Sequence, residues 1–352
     1  MRVLYSLHHN LHHPQREFEA SGFQEPFEHP GRAEIIRQAL AADERFELAA
    51  PDEWGTDPIA QVHDPGLIAF LESAWSEFQA VHGPTHDVVP DMFAMAGLRE
   101  SMGPASEPAS IDARLGWWAF ETTTPITHGT YEAARSAVNV ALSTWATVES
   151  GEPIAYGLCR PPGHHATRSL YGGYCFFNNA AVVAHRIAST TGSKVAILDV
   201  DYHHGNGTQQ IFYERDDVLV VSLHADPSRA YPYFTGHADE TGAGRGLGAN
   251  LNLPLPAGLD DDGYLPMLES ALESVMGFGP AALVVSLGLD TFGGDPISDL
   301  ALSADGFARC GAAIRSVGLP TVVVQEGGYA DEQLGENARA WLLGASSQPW
   351  PS

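Results

Sequence analysis

Short apolar segments recur along the chain, rich in Val, Ile and Leu but without strict alternation of apolar and polar residues. They are RVLYS, AYGLC, KVAILDV, VLVVSLH, AALVVSLGL and TVVVQEGG. Such runs are typical of strands buried on both faces of a parallel sheet. Segments with helical periodicity lie between them, including GTYEAARSAVNVALSTWATVESG, FFNNAAVVAHRIASTTG and YLPMLESALESVMGFG. The alternation predicts βαβ units and an α/β fold.

Polar residues capable of chemistry follow most of these predicted strands. The segments that follow are RPPGHHA, DYHHGNG, ADPSRAY, DTFGGDP and EGGY. The carboxyl ends of parallel strands meet at one edge of a sheet, which is where open α/β folds bind their ligands. The sequence therefore predicts a functional site at that edge. Residues 80–112 break the rhythm with Pro and Gly, so we interpret them as an insertion into one domain spanning residues 1–352.

Composition narrows the range of partners and locations. The formal net charge of the 352 residues is −26, which disfavours nucleic acid as a partner because phosphate binding needs a basic surface. No apolar run reaches the roughly 18 residues needed to span a membrane, and the start of the chain does not resemble a signal peptide. The three cysteines, Cys159, Cys175 and Cys310, are few and widely spaced. We therefore expect a reducing compartment, the cytoplasm.

The segment VAILDVDYHHGNG combines carboxylates and imidazoles where a buried strand ends. Side chains two residues apart on a strand point the same way, so Asp199, Asp201 and His203 should share one side. Asp201 and His203 can supply one oxygen and one nitrogen ligand, and Asp290 follows another predicted strand. Such a ligand set suits catalytic Zn²⁺, although Fe²⁺ or Co²⁺ would also fit. Turn and capping hydrogen bonds are the alternative explanation for Asp201 and His203 taken alone.

The motif RPPGHHA places two adjacent histidines behind a stiff Pro-Pro-Gly turn. Adjacent histidines are poor joint ligands for one ion, so His164 and His165 are better explained as general acid–base groups. Asp199 and Asn206 are candidate partners for fixing their tautomers. In EGGY, two glycines precede Tyr329, whose phenol could donate a hydrogen bond to a developing oxyanion. Taken by itself, that motif favours an ordinary packed tyrosine.

Together these motifs resemble the histone deacetylase superfamily, and most closely its bacterial acetylpolyamine amidohydrolases and class II-like deacetylases. The segments that carry the resemblance are GLCRPPGHHA, GGYCFFNNAAVVAH, ILDVDYHHGNGTQQIFY, VVSLHADP, VVSLGLDTFGGDP and EGGY. The resemblance implies an arginase-like α/β fold with a central eight-stranded parallel sheet flanked by helices. It also implies a zinc site at Asp201, His203 and Asp290. His165 would act as general base and then acid, His164 would assist electrostatically beside Asp199, and Tyr329 would hydrogen-bond the substrate carbonyl.

The same resemblance implies a substrate tunnel and a second ion. Its tunnel positions are Gly173, Tyr174 and, on the opposite wall, Phe234, and its structural potassium site comprises Asp199 and Ser222 with backbone carbonyls of His203 and Leu223. Asn206 stands where class I enzymes have an Asp, and a neutral amide should raise the pKa of His165 less than a carboxylate would. Glu17 and Asp112 match acidic residues that meet a cationic substrate. Residues 80–112 resemble an insertion that forms a homodimer and narrows the tunnel.

The expected function is hydrolysis of acetylated polyamines or similar small cationic amines, with release of acetate. The same chemistry on acetyl-lysine peptides or on another small acylamide is the alternative. A non-catalytic scaffold is disfavoured by the complete residue set: His164, His165, Asp201, His203, Asp290 and Tyr329. A ureohydrolase with two Mn²⁺ is disfavoured because the ligands complete one metal site only.

Overall fold

A computed structural model describes residues 1–19 and 22–346. Its main sheet is built from eight strands: β1 (Arg2–Tyr5), β4 (Glu47–Ala49), β5 (Ile154–Leu158), β6 (Val195–Asp199), β7 (Val218–Ala225), β8 (Asn250–Leu255), β9 (Ala282–Leu287) and β10 (Thr321–Gln325). The spatial order is β4-β1-β5-β10-β9-β6-β7-β8, and neighbouring strands run parallel. The predicted α/β fold with an eight-stranded parallel sheet is confirmed.

Helices cover both faces of the sheet. They are α1 (Pro30–Ala41), α2 (Asp57–Ala60), α3 (Pro65–His82), α4 (Ile111–Trp118), α5 (Thr130–Glu149), α6 (Asn179–Thr191), α7 (Asn206–Phe212), α8 (Asp261–Phe278), α9 (Ala304–Ser316) and α10 (Asp331–Ser346). Helices α3 to α6 contribute to one apolar cluster, and α1, α8, α9 and α10 contribute to the other. In β6, Ile197 packs into the first cluster and Leu198 into the second, as side-chain alternation requires.

Strands β4 and β8 were not predicted, and both lie at the edges of the sheet. Only three residues form β4, and three of the six residues of β8 are only partly buried. An edge strand need not be apolar on every residue, so neither segment shows the continuous apolar run that marks the inner strands. A separate antiparallel pair, β2 (Glu17–Glu19) and β3 (Gly22–Gln24), forms near the amino terminus.

Most of the segment predicted to be an insertion, residues 80–112, lies between α3 and α4, and it contains one short 3₁₀ turn, Ala96–Arg99. It packs on α4 through Gly116, whose carbonyl accepts a hydrogen bond from the Ala94 N–H at 3.0 Å. A Cβ atom on Gly116 would overlap the Met92 carbonyl, so this contact requires glycine. Across the described ranges, no helix is both long enough and apolar enough to cross a membrane.

Candidate metal centre and active site

Three side chains converge where β6 and β9 end. Asp201 and His203 follow β6, Asp290 follows β9, and the two strands are neighbours in the sheet. One ligand atom from each residue lies within 4.8 Å of the others. Nδ1 of His203 is 3.3 Å from Oδ1 of Asp201 and 3.2 Å from Oδ2 of Asp290. We call Asp201, His203 and Asp290 the metal triad.

The metal triad has the spacing and chemistry of a tetrahedral zinc site. Zinc bonds to nitrogen and oxygen of about 2.0–2.2 Å place neighbouring ligand atoms about 3.3–3.6 Å apart, close to the two distances to His203. Burial raises the pKa of Asp290 to about 7, and the charge of Asp201 acts in the same direction. Two adjacent buried carboxylates are unfavourable without a cation, so the pair fits a bound divalent ion.

Backbone groups orient the remaining oxygens of the metal triad. Oδ2 of Asp201 accepts a hydrogen bond from the Gly327 N–H at 2.8 Å, and Oδ1 of Asp290 accepts one from the Tyr202 N–H at 2.9 Å. A Cβ atom on Gly327 would overlap the Asp290 carboxylate. The EGGY segment therefore needs glycine at this position to approach the ligands closely and hold them in place.

The two adjacent histidines lie beside the metal triad and are buried. Nδ1 of His164 is 3.0 Å from Oδ2 of Asp199, and Nδ1 of His165 is 2.6 Å from Oδ1 of Asn206. The two imidazole centroids are 4.0 Å apart, and the His165 ring is 6.0 Å from the His203 ring. Because the Asn206 oxygen can only accept, His165 carries its proton on Nδ1 and leaves Nε2 free as a base.

The two histidines have opposite electrostatic character. Burial alone would lower the pKa of His164, but the Asp201 and Asp199 carboxylates outweigh that effect and raise it well above its usual range. Burial lowers the pKa of His165 well below its usual range, and the neighbouring His164 acts in the same direction. The pair therefore separates into a charged imidazolium and a neutral imidazole that can accept a proton.

Tyr329 is held from two sides after the paired glycines. Its N–H donates to Oδ2 of Asp295 at 2.6 Å, and the Arg32 guanidinium lies 4.5 Å from its ring centroid. Arg32 also donates to the carbonyls of Gly328 at 2.6 Å and Glu326 at 3.0 Å. Burial raises the pKa of Tyr329 well above its usual range, so the phenol stays protonated and can donate.

Comparisons with known proteins agree with an active site built from the metal triad, the two histidines and Tyr329. Residues 26–345 match the histone deacetylase domain. The chain belongs to the histone deacetylase family. It is 46% identical over 344 residues to acetylpolyamine amidohydrolase 2 of Pseudomonas aeruginosa, covering 98% of each protein. It is 40% identical to acetylpolyamine amidohydrolase of Mycoplana ramosa, covering 98% of this chain and all of that protein.

A solved structure supports the same assignment. The crystal structure of acetylpolyamine aminohydrolase from Burkholderia pseudomallei (iodide soak) superimposes with a TM-score of 0.91, at 38% identity and 99% coverage of both chains. The predicted enzyme class, a hydrolase of acetyl-amide bonds, is confirmed for this member of the histone deacetylase family.

The walls of the site are aromatic. Gly173 and Tyr174 both have positive φ, and a Cβ atom on Gly173 would overlap the His165 ring. The Tyr174 ring is 5.9 Å from the Tyr329 ring. Phe234, which was expected on the opposite wall, does not pack into the site, since 88% of its side chain is exposed. Tyr231 takes the position expected of Phe234, with its ring 4.9 Å from that of His165.

The two predicted acidic contacts have other surroundings. Glu17 lies in β2, is fully buried and accepts a hydrogen bond from Gln24 at 2.8 Å. Glu17 is an inward-facing acid beside Tyr174, and burial raises the pKa of its carboxyl to about 7. Asp112, at the start of α4, contacts His82 at 2.6 Å and Ser110 at 3.3 Å, outside the metal triad.

The predicted potassium residues are brought to matching positions in the sheet. Asp199 of β6 pairs in register with Ser222 of β7, and Leu223 follows directly. Asp199 is fully buried, and Ser222 is 1% exposed. The hydroxyl of Ser222 lies 2.8 Å from Nδ1 of His224. The structural potassium ion itself stays a prediction.

Glu326 is a site residue that sequence reasoning missed. Its buried carboxylate accepts hydrogen bonds from the N–H groups of Gly163 at 2.6 Å and His164 at 3.1 Å. The Ser286 hydroxyl donates to its other oxygen at 3.2 Å. Glu326 thereby joins the histidine loop to the segment that carries Tyr329. A carboxylate directly after an apolar strand, the same signal that marked Asp201, could have revealed it.

A second buried carboxylate joins the same two loops. Glu28 accepts hydrogen bonds from Arg160 at 2.7 and 2.9 Å and from Arg32 at 3.1 Å. Arg160 begins the histidine loop, and it also donates to the carbonyls of His9 and His12 at 2.6 and 2.7 Å. The histidine-rich amino-terminal segment therefore anchors the site through its backbone.

Replacing Glu326 with Ala should lower kcat about 10- to 100-fold, because the histidine loop would lose its alignment and two buried N–H groups would lack an acceptor. Glu326→Gln keeps an acceptor oxygen and should restore most of the loss. Steady-state kinetics with zinc analysis of both variants would check this. Equal kcat for Glu326→Ala and the unaltered enzyme would contradict the role of this carboxylate.

Proposed function

We propose that this protein is a zinc-dependent amidohydrolase that removes acetyl groups from acetylated polyamines or similar small cationic amines and releases acetate. The observation that carries the proposal is the convergence of the metal triad, a neutral buried imidazole at His165 and a protonated phenol at Tyr329. The names of the Pseudomonas and Mycoplana relatives support the acetylpolyamine substrate.

The residues divide the reaction between them. Zinc held by the metal triad would polarise the acetyl carbonyl and lower the pKa of water. Nε2 of His165 accepts the proton of the attacking water, since Nδ1 is committed to Asn206. The Tyr329 phenol donates to the carbonyl oxygen as negative charge develops there. His165 then returns its proton to the leaving nitrogen, which yields acetate and a free amine.

His164 and Asn206 adjust the base. The His164 imidazolium, fixed by Asp199, places a positive charge 4.0 Å from the His165 ring, measured between centroids. That charge stabilises developing negative charge and keeps His165 neutral. The Asn206 amide fixes the tautomer of His165 without adding a carboxylate that would hold it protonated. The base is thus free to accept a proton near neutral pH.

The surroundings favour a slender cation. Tyr231 packs beside His165 and Tyr174 packs beside Tyr329, and aromatic faces attract alkylammonium groups. The net charge of −26 raises the local concentration of cations. From the family resemblance, we also propose a structural potassium ion at Asp199 and Ser222 with the carbonyls of His203 and Leu223, since Asp199 and Ser222 are buried and pair in register on neighbouring strands.

The deciding experiment compares N-acetylputrescine with an acetyl-lysine tripeptide as substrates of the zinc-loaded protein. We expect kcat/KM to favour the polyamine by 100-fold or more (about 2.7 kcal/mol). Preference for the peptide would keep the proposed chemistry and overturn the substrate. Absence of turnover on both, with zinc bound, would overturn the proposed deacetylase activity on these amines.

We also propose that the insertion forms a homodimer. Four of its apolar side chains are between 63% and 71% exposed: Met92, Met95, Leu98 and Met102. Met95 and Leu98 line a cavity of about 630 Å³ with Trp117 of α4. Several exposed apolar side chains on one segment are typical of a protein–protein contact, and a second copy of the chain would bring the same surface as its counterpart.

Replacing Gly116 with Ala should dissociate this dimer, because the new methyl group displaces the insertion from α4. Sedimentation velocity would measure the change. Gly277→Ala in α8 is the matched control, since a Cβ atom there meets nothing within 4 Å; it should leave assembly unchanged and stabilise the helix by about 0.5–1 kcal/mol. An unaltered protein that sediments as a monomer would overturn the dimer.

A further inference from the structure

A row of aromatic rings leads from the active site to solvent along the segment between β7 and β8. The Tyr231 ring, next to His165, is 6.4 Å from the Tyr233 ring, which is 6.4 Å from the Phe234 ring. Exposure increases outward, from a partly buried Tyr231 to 52% at Tyr233 and 88% at Phe234. Phe234 is the most exposed large apolar side chain in the part of the chain that the structure describes.

The backbone that presents these rings is fixed in place. Just after Phe234, the Gly236 N–H donates to Oε2 of Glu240 at 2.9 Å, and Nε2 of His224 lies 2.9 Å from the Gly236 carbonyl oxygen. Gln209 of α7 also donates to Glu240 at 2.6 Å. The exposed rings therefore extend from an anchored turn and not from a free loop.

Tyr233 carries its ring at a backbone angle that tyrosine rarely adopts. Its φ is +65°, and the only other non-glycine residues with positive φ in the described ranges are Ser101 and Tyr174. Glycine or asparagine would occupy such a position with less strain. Tyr174, the other tyrosine of this kind, lies beside Tyr329 at the site wall. Strain of this kind concentrates at ligand-binding positions, so the exposed Tyr233 ring has the character of a binding residue.

We propose that Tyr233 and Phe234 form a rim site for the second ammonium group of acetylated polyamines longer than a diamine. This inference rests on the proposed function and adds a substrate preference to it. With the acetyl group at His165 and Tyr329, a monoacetylated diamine ends with its one ammonium group between the aromatic walls. A monoacetylated triamine extends a further alkyl segment outward and brings a second ammonium group to the two exposed rings.

The rim geometry suits a cation. The Tyr233 and Phe234 rings lie at 67° to one another, so their faces form an open corner and not a closed stack. An alkylammonium group in that corner would meet the negative face of each ring while its charge remains hydrated on the open side. Contacts of this exposed kind are weak individually, so they select among substrates that the catalytic site already accepts.

The test compares two substrates that share their acetylated arm. N-acetylputrescine and N8-acetylspermidine both carry four methylenes between the acetylated nitrogen and the next nitrogen, and the second adds an aminopropyl group. In a Tyr233→Asn, Phe234→Ser double variant we expect KM for N8-acetylspermidine to rise about fivefold with kcat unchanged. The ratio of its kcat/KM to that of N-acetylputrescine should fall by the same factor.

The control is Leu247→Ser, which removes another exposed apolar side chain, 71% exposed, from the same segment; its substrate ratio should equal that of the unaltered enzyme. If the double variant has the same ratio of kcat/KM values for the two substrates as the unaltered enzyme, the rim site is overturned, whether both kcat/KM values stay constant or both fall. The proposed function would remain supported. An unaltered enzyme that hydrolyses neither amine while holding zinc would overturn the proposed function, and the rim site with it.

Discussion

Replacing Tyr329 with Phe should lower kcat about 100- to 1,000-fold, the usual effect of removing one donor to a developing oxyanion. The substitution deletes only the hydroxyl. The ring can keep its place over Arg32, and the backbone N–H can keep its bond to Asp295. We therefore expect the variant to fold normally, to bind zinc as the unaltered enzyme does, and to lose mainly the transition-state contact.

Kinetics on N-acetylputrescine, with zinc content measured on the same samples, would check this expectation. Tyr171→Phe is the matched control, because Tyr171 is a fully buried tyrosine whose hydroxyl has no hydrogen-bond partner among the described residues. Its kcat should stay within about twofold of the unaltered value, because removing a hydroxyl that makes no hydrogen bond breaks none. Undiminished turnover by Tyr329→Phe would remove the phenol from the mechanism.

Replacing Asp290 with Asn should weaken zinc binding by more than about 100-fold, because even partners that only orient metal ligands contribute up to that factor. Activity should fall in parallel. In the metal-free protein, by contrast, the substitution should maintain or raise the free energy of unfolding. Burial and the neighbouring Asp201 raise the pKa of Asp290 to about 7, so its charge is unfavourable in the fold without an ion.

Two measurements separate these effects: zinc per chain after dialysis, and the melting temperature with and without added zinc. Zinc should raise Tm of the unaltered protein and leave that of Asp290→Asn nearly unchanged. Without metal, the variant should melt at or above the unaltered protein. Asp262→Asn, which alters an 89% exposed carboxylate of α8, should behave as the unaltered protein in both assays. A variant that retains stoichiometric zinc would contradict the proposed ligand set.

The sequence was informative where local pattern and chemistry coincide. The inner strands are buried on both faces, so each appears as a continuous apolar run, and the polar residues after β6 and β9 necessarily meet because those strands are neighbours. The edge strands β4 and β8 lack that signature. The two-residue spacing of Asp201 and His203 also predicted that they lie on one side, and this inference required no knowledge of long-range contacts.

Tertiary contacts explain what the sequence did not reveal. Arg32 acts on a loop distant in sequence, and nothing in its immediate neighbours marks it. Glu326 follows an apolar strand, but its hydrogen bonds to the histidine loop arise only in the folded chain. Tyr231 and Phe234 are both aromatic and three residues apart, and the turn containing Tyr233 at φ +65° decides which ring faces His165. Glu17 was expected to meet a cationic substrate, and the structure buries it in β2, which pairs with β3.

The shared Glu28 carboxylate has a consequence for local opening. Arg160 anchors the histidine loop and Arg32 anchors the tyrosine loop, and both guanidinium groups depend on this one buried acid. Releasing either loop would take one of its two guanidinium partners from this buried carboxylate, which is unfavourable. The amide hydrogens of Gly163, His164 and Tyr329 should therefore exchange with solvent as one cooperative unit, at a common free energy.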